Sequence, residues 1–235
     1  MNIVQIRASI FYPQTIGFTP ENASKYRAMF LPNGNVAPAS PFPEMAVGNL
    51  PLGMPWQLVG RDDYGNSIVI VFLPNKIDIV KNIEQSNEKT ENDFVSFCSE
   101  KFKLFLDDVK MNAVRLAYSP LLAMADNDAE RRMFAWQHLI KQTSIEGVPC
   151  QDVNVSFLTK KIKQLGDKDV DTNFLFKMMD GMKLKDGIKT ADSILIQLDI
   201  NTVPEASYSF SGNDVEAFLS KAIEWKNEYI NSVLV

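Results

Sequence analysis

The segment SILIQLDIN, residues 193–201, alternates along the chain with a period of two. One of its faces is wholly aliphatic and the other is mixed: Ile194, Ile196, Leu198 and Ile200 against Leu195, Gln197, Asp199 and Asn201. This period predicts a β-strand with one buried face. Such a strand cannot stand alone, because its aliphatic face needs another layer to cover it.

The C-terminal segment is a candidate for that layer, since its apolar residues recur at helical spacing. The stripe consists of Val215, Phe218, Leu219, Ala222, Ile223, Ile230 and Val233. Asn213 and Glu216 have the spacing of a capping box at the start of this helix. We expect Phe218, Leu219 and Ile223 to cover the aliphatic face of residues 193–201. The two segments together predict a helix packed across a half-buried sheet.

Further strands are predicted on both sides of this pair. The chain opens with a strand rich in Ile and Val that ends at Pro13. From Trp56 onward, WQLVG, SIVIVFL and KIDIV are separated by turn signals and predict an antiparallel meander. NAVRLAYSP, ended by Pro120, and DVNVSFLTK are two more predicted strands. Residues 172–182 fit either a short buried helix or a strand.

Two more amphipathic helices are predicted, besides a short one around Ala23–Met29. The first can be capped by Asn92, and its apolar face consists of Phe94, Phe97, Cys98, Phe102, Phe105, Leu106 and Val109. Cys98 shares this face, so we expect its thiol to be buried and inert. The second covers Asp126–Gln142, with Met133, Trp136, Leu139 and Ile140 facing inward.

Residues 13–55 form a long proline-rich excursion after the first strand. Prolines fix φ and remove backbone donors too often there for a long regular element. Within residues 31–56, however, Glu44 is the only charge and apolar side chains are frequent. Because apolar surface can offset chain entropy, we predict that this stretch is ordered and packed on a sheet face or edge.

These elements predict one α+β domain over residues 1–235. Its sheet is expected to be mainly antiparallel, with two or three amphipathic helices packed on one face.

The residue types that cofactor and metal sites require are scarce. The glycines form no phosphate-binding loop, and one histidine, His138, with two cysteines, Cys98 and Cys150, is too little for a zinc site. No nucleophile motif surrounds His138 or Cys150. We therefore predict no cofactor, no metal and no catalytic residue. Asp62, Asp63 and Asp199 are the remaining candidates for acid–base chemistry or a hard cation, although turn and strand positions account for them as well.

Charge and hydropathy give expectations about partners. A formal charge of −5 and a pI near 5.0 do not favour nucleic-acid binding, which needs a basic surface. No run of about 18 apolar residues predicts a membrane span, and the first residues lack the pattern of a signal peptide. With two cysteines and no disulfide framework, we expect a cytoplasmic protein that binds neither nucleic acid nor membrane.

The absence of motifs favours a non-catalytic protein that acts through protein–protein interaction or self-association. One alternative is a small-molecule binding domain with an apolar pocket between the sheet and the C-terminal helix. A carboxylate-based enzyme is the third. The candidate contact residues are Phe42, Met45, Leu52 and Trp56 in and beside the excursion, and Arg115 and Tyr118 on a predicted strand. Arg115 suits a bound carboxylate or phosphate, or an acidic neighbour on the solvent face.

Overall fold

A computed structural model gives the fold of the chain. The structure describes residues 2–16, 20–30, 56–84, 87, 89–123, 144–145, 148–149, 154–185, 188–204 and 207–234. Its strands are β1 (Asn2–Phe11), β2 (Trp56–Arg61), β3 (Ser67–Leu73), β4 (Lys76–Asn82), β5 (Arg115–Ala123), β6 (Ser144–Ile145), β7 (Val148–Pro149), β8 (Asn154–Leu165), β9 (Lys168–Lys185) and β10 (Ile188–Thr202). Its helices are α1 (Pro20–Phe30), α2 (Thr90–Val109) and α3 (Gly212–Leu234).

Eight of the strands form one sheet in the order β2-β3-β4-β1-β5-β10-β9-β8, and β6 pairs with β7 separately. Every described strand pairing is antiparallel. Two meanders, β2–β4 and β8–β10, thus lie at opposite ends of the sheet, with β1 and β5 between them. The predicted α+β class is confirmed. Residues 17–19 and 31–55 of the excursion, and the helix predicted over Asp126–Gln142, lie outside the described residues.

The three described helices pack on one face of the sheet, where aromatic side chains fill the core. Phe72 of β3 contacts Tyr26 and Phe30 of α1, with ring centroids 5.7 Å and 5.2 Å away. At the other end, Phe174 of β9 stacks on Tyr229 of α3 at 5.1 Å. Ile223, which was also predicted to cover β10, is only half-buried. The other predicted core residues of β10 and α3 are buried: Ile194, Ile196, Leu198, Ile200, Phe218 and Leu219. Cys98 is fully buried, as predicted.

The prediction for Pro120 is wrong, because this proline lies inside β5 and opposite Ile6 of β1. On the other side of β5, the register to β10 has partners at Tyr118 and Leu121 but none at Ser119 or Pro120. Proline has no backbone N–H, so a missing ladder position is its expected cost within a sheet. The strand continues because its pairing with β1 is kept.

Residues 172–182, for which the sequence fits either a helix or a strand, belong to strand β9 and are extended throughout. Phe174, Phe176 and Met178 are buried on the helix side and alternate with half-buried Asn173 and Leu175. The register places Phe176 opposite Leu198 of β10 and Phe157 of β8. Long pairing on both edges therefore holds this segment as a strand.

Both predicted helix caps need correction. Helix α2 begins at Thr90, with Lys89 at the N-cap position and no side-chain cap, so Asn92 lies within the first turn. At α3, Ser211 and Asp214 form the capping box: the Ser211 amide donates to Asp214 Oδ2 (2.8 Å), and the Asp214 amide donates to Ser211 Oγ (3.3 Å). The same pattern occurs two residues before the predicted pair, Asn213 and Glu216.

Candidate functional site

The face of the sheet opposite the helices carries the polar residues that the core excludes. We call this surface the open face, because no helix among the described residues covers it. Strand registers align one row of side chains across six strands of this face: Lys160, Asn173, Asn201, Ala117, Ser9 and Asp78. Five of these six residues are polar, and Ser9, Asp78 and Asn201 are buried. Burying polar groups is costly unless they are hydrogen-bonded, so the row needs a bonding network.

Two small networks meet most of that need. At one end, Ser9 Oγ donates to Asp78 Oδ1 (2.5 Å), and Lys76 Nζ lies 2.8 Å from the same oxygen. At the other end, Asn201 Nδ2 donates to Asp199 Oδ2 (3.1 Å), while Asn173 Nδ2 donates to Asn201 Oδ1 (3.3 Å). Both networks connect polar side chains of neighbouring strands near the centre of the open face.

Arg115 joins the second network at the start of β5. Its Nη2 donates to Asn201 Oδ1 over 3.0 Å, and its guanidinium carbon lies 4.9 Å from the ring centroid of Phe11. Lys76 Nζ lies 4.8 Å from the same ring. No carboxylate of the described residues lies within ion-pair distance of Arg115. Instead of pairing with an acid, this arginine is held by an amide and an aromatic ring.

Two polar atoms of this cluster are buried without a hydrogen-bond partner in the described structure, Arg115 Nε and Asn173 Oδ1. Both belong to side chains bonded to the same oxygen, Asn201 Oδ1. Burial raises the pKa of the nearby Asp199 carboxyl, and the charges of Arg115, Lys76 and Arg7 oppose that rise. The cluster therefore contains one buried donor and one buried acceptor without hydrogen-bond partners. Its cations are Arg115, Lys76 and Arg7.

The outer edge of the open face is formed by β8, whose one described neighbour is β9. Leu158 and Ile162 alternate here with Lys160, and their exposed fractions are 53% and 70%. Leu158 lies opposite Leu175 in the register, so this apolar surface continues inward onto β9. A long strand edge with exposed aliphatic side chains is a surface on which another strand can pair.

Three of the predicted contact residues are described, and the structure does not bring these three together. Arg115 lies on the open face, whereas Tyr118 is buried on the helix side, where its hydroxyl donates to Glu91. Trp56 is a core residue of β2, with its ring 4.7 Å from Phe72. Phe42, Met45 and Leu52 lie outside the described residues.

The candidate carboxylates are also separated. Asp62 lies in the β2–β3 turn, where it accepts the Asn66 amide (2.8 Å) and pairs with Lys81 (2.7 Å). Asp63 is exposed in the same turn, and four strands separate β2 from Asp199 on β10. Across the described part of the chain, no group of three metal-ligating side chains comes together.

A groove of about 230 Å³ lies between α2 and α3, on the helix side of the molecule. Its lining is mostly polar: Val95, Ser96, Ser99, Glu100, Lys103, Glu216 and Ser220. This groove differs in place and chemistry from the apolar pocket expected between sheet and helix. That alternative stays a prediction.

Sequence reasoning missed Leu158, Ile162 and the asparagines of the row. A signal for the first two was present, because NVSFLTKKIKQL places apolar residues on both faces of its strand, and an edge strand exposes one of them. The asparagines carry no such signal in the sequence, since their contacts join β9 to β10 and β5.

Among the described residues, no helix is long and apolar enough to cross a membrane. Neither a model of any known protein family nor any curated protein sequence matches this chain.

Proposed function

We propose that this protein is a non-catalytic interaction protein whose β8 edge pairs with an extended, acidic segment of a partner protein. The observation that carries the proposal is the exposed pair Leu158 and Ile162, which flanks Lys160 on a strand edge of twelve residues. Strand addition of this kind draws affinity from main-chain hydrogen bonds and specificity from alternate side chains.

The apolar pair supplies the anchoring energy. Full burial of a leucine or isoleucine side chain contributes about 1.5–3 kcal/mol, and these two are already partly covered. Each therefore contributes about 1 kcal/mol when a partner strand covers it. Main-chain pairing along β8 adds to this without requiring a particular partner sequence.

The charge of the edge favours an acidic partner. Lys160 and Lys161 are exposed, and Lys160 has no ion-pair partner among the described residues. Lys163 pairs with Glu228 at 3.2 Å, but that glutamate is 66% exposed, so the pair is weak. A partner strand with carboxylates opposite these lysines gains cross-strand attraction.

A second copy of this chain fits the edge less well. In an antiparallel pairing that places Leu158 opposite Ile162 of the other copy, Lys160 falls directly opposite Lys160. Like charges directly opposite destabilise a strand pair. The lysines thus act against self-pairing, which is a common use of charge at sheet edges.

The test uses two fluorescent peptides of equal length, one repeating Val-Thr-Glu-Thr and the other repeating Val-Thr-Lys-Thr, so that apolar and charged side chains follow each other on the face that meets Leu158, Lys160 and Ile162. We expect saturable binding of the acidic peptide by fluorescence anisotropy and much weaker binding of the basic one. Leu158→Thr or Ile162→Thr should each weaken binding about fivefold, the equivalent of about 1 kcal/mol. Lys160→Glu should reverse the preference between the peptides.

The matched control is Leu104→Gln, since Leu104 is a leucine of α2 with 44% exposure on the other side of the molecule. This variant should bind the acidic peptide like the unchanged protein. Equal binding of both peptides, or an equal effect of the Leu104 and Leu158 variants, contradicts the proposal. A dimer at micromolar concentration that Leu158→Thr abolishes would show that the occupant is a second copy.

A further inference from the structure

The turn between β8 and β9 determines which backbone groups of β8 point outward. Leu165 and Lys168 are register partners, so Gly166 and Asp167 alone form the turn. Gly166 has a φ of 65°, whereas the φ of Asp167 is not positive. A glycine with positive φ in the first position is typical of a type II′ turn. The two residues that flank such a turn exchange both of their backbone hydrogen bonds.

This hydrogen-bonding pattern alternates along β8, because the register to β9 is continuous from Asn154 to Leu165. Counting back from Leu165, every second residue bonds to β9, and the residues between them direct their N–H and C=O groups to the outer edge. The outward set consists of Ser156, Leu158, Lys160, Ile162 and Gln164. The exposed side chains of the edge therefore belong to residues whose main-chain groups also face a partner strand.

The helix side of β8 carries two further lysines, which lie over aromatic rings. Lys161 Nζ is 5.2 Å from the ring centroid of Tyr229, and Lys163 Nζ is 5.4 Å from that of Trp225. Lys161 is exposed and has no carboxylate partner among the described residues. Lys163 has only its weak pair with the exposed Glu228. Both ammonium groups can therefore meet carboxylates of a partner strand.

The residues of the edge follow each other in an order that is not symmetrical. From residue 163 back to residue 158, the strand presents lysine, isoleucine, two lysines, threonine and leucine. An antiparallel partner meets them in this order, because it runs in the opposite direction. Carboxylates match the lysines, and aliphatic side chains match the isoleucine and the leucine. The matching order in the partner is acidic, apolar, acidic, acidic, polar, apolar.

We propose that the β8 edge recognises an antiparallel strand in which the order acidic, apolar, acidic, acidic, polar, apolar faces residues 163 to 158. This inference rests on the proposed function and adds the direction of the partner strand and the order of its side chains. Parallel strand pairs are less stable per residue, which favours the antiparallel direction. In that direction, the partner residue opposite Lys160 exchanges two main-chain hydrogen bonds with it. The partner residue opposite Lys161 directs its N–H away from β8.

The experiment uses a fluorescent peptide, Thr-Glu-Val-Glu-Glu-Thr-Val-Thr, whose residues face residues 164 to 157 in that order. Two derivatives each carry one backbone N-methyl group, on the fourth or on the fifth residue. Both positions are glutamates, so the two derivatives have the same composition and the same charge. Binding of each peptide to the full chain is measured by fluorescence anisotropy.

The two methyl groups should have different effects. The fifth residue faces Lys160, so its methyl group removes a donor and lies against β8, and binding should become about tenfold weaker. The fourth residue faces Lys161, and its methyl group points away from β8. Binding of that derivative should change by less than about twofold.

A protein variant tests the lysines on the helix side. Lys161→Thr should weaken binding of the unmethylated peptide about threefold, which is the usual effect of losing one exposed cross-strand charge pair. The matched control is Lys25→Thr, since Lys25 is exposed on α1, which packs on β3 at the other end of the sheet. The control changes the net charge equally and should leave binding unchanged. Far-UV circular dichroism establishes that both variants keep the fold.

Three outcomes overturn the inference. The first is a larger effect of the methyl group on the fourth residue, since in a parallel pair the neighbours of the residue opposite Lys160 donate instead. The second is an equal effect of the two methyl groups, and the third is an equal effect of Lys161→Thr and Lys25→Thr. In each case, binding of the repeating acidic peptide still supports the proposed function. If neither acidic peptide binds, the proposed function fails together with this inference.

Discussion

Lys226→Met is expected to destabilise the fold strongly, because Lys226 belongs to a buried ionic network between α3, α2 and β5. Lys226 is 5% exposed, and its Nζ lies 2.7 Å and 2.5 Å from the two carboxylate oxygens of Glu91. The Tyr118 hydroxyl donates to the same carboxylate. Methionine replaces the aliphatic stem of the lysine but not its charge. The variant therefore leaves a mostly buried carboxylate with one neutral donor.

Removing one partner of a buried ion pair costs about 3–5 kcal/mol, because the other charge stays buried without compensation. The assay is urea unfolding followed by far-UV circular dichroism. The control is Lys221→Met on the same helix, whose Nζ is 2.9 Å from Glu224 in an exposed pair. That variant should cost less than about 1 kcal/mol.

A companion variant separates charge from packing. In the double variant Glu91→Gln with Lys226→Met, the amide still accepts from Tyr118 and no charge is buried. It should recover a large part of the loss, since replacing both charges of a buried pair is often close to neutral. The reasoning is refuted if Lys226→Met costs no more than Lys221→Met, or if the double variant is less stable than Lys226→Met alone.

Three further predictions concern the core and the β2–β3 turn. Leu198→Ala should cost about 2–5 kcal/mol in urea unfolding, because Leu198 is fully buried, whereas Leu104→Ala should cost far less. Cys98 should resist an aromatic disulfide reagent in the native protein and react once urea unfolds it, since burial raises the pKa of its thiol well above 9.0; rapid labelling of the folded protein would contradict its placement. Lys81 and Asn66 hold the pKa of Asp62 below 3.8 against the opposing effect of burial, so the stabilisation from Asp62 is present above that pH and is lost as the pH falls through the lowered value. Asp62→Asn should accordingly cost stability at neutral pH, and the difference from the unchanged protein should shrink in acid.

Strand β10 shows why much of the fold can be predicted from the sequence. One face of its C-terminal half is buried by helices and the other is not. Apolar residues therefore alternate with more polar ones along the sequence, with a period of two. Strand β9 lacks that contrast at Phe174, Leu175 and Phe176, which are apolar in succession. Its conformation is set by pairing with β8 and β10, a non-local effect that no local pattern contains.

The corrected boundaries have similar causes. Pro120 stays in β5 because its partners in β1 come from more than a hundred residues away in the chain. At α3, Phe210 forms a bridge with Ala113 through backbone bonds of 2.7 Å and 2.9 Å. This bridge leaves Ser211 as the first residue free to cap, so a tertiary contact selects between two similar capping patterns.

Of the residues of the candidate site, only Arg115 could be predicted from the sequence. Arg115 is recognisable as a cation on a half-buried strand, but its partner Asn201 is 86 residues away and Asn173 reaches it through another strand. The exposure of Leu158 and Ile162 depends on the position of β8 at the sheet edge. The order of the strands in the sheet determines both the contacts of Arg115 and the exposure of Leu158 and Ile162. That order depends on the whole chain and not on a local pattern.

The sheet order has a consequence for the time course of folding. Each meander, β2–β4 and β8–β10, joins strands that are neighbours in the chain, so both can form early at a small cost in loop-closure entropy. The pairing of β1 with β5 closes a much longer loop and yields no contacts until that entropy has been lost. The docking of β1 onto β5 is therefore expected to be the slow step of folding. In pulsed hydrogen exchange during refolding, β1 amides should gain protection after those of β8–β10.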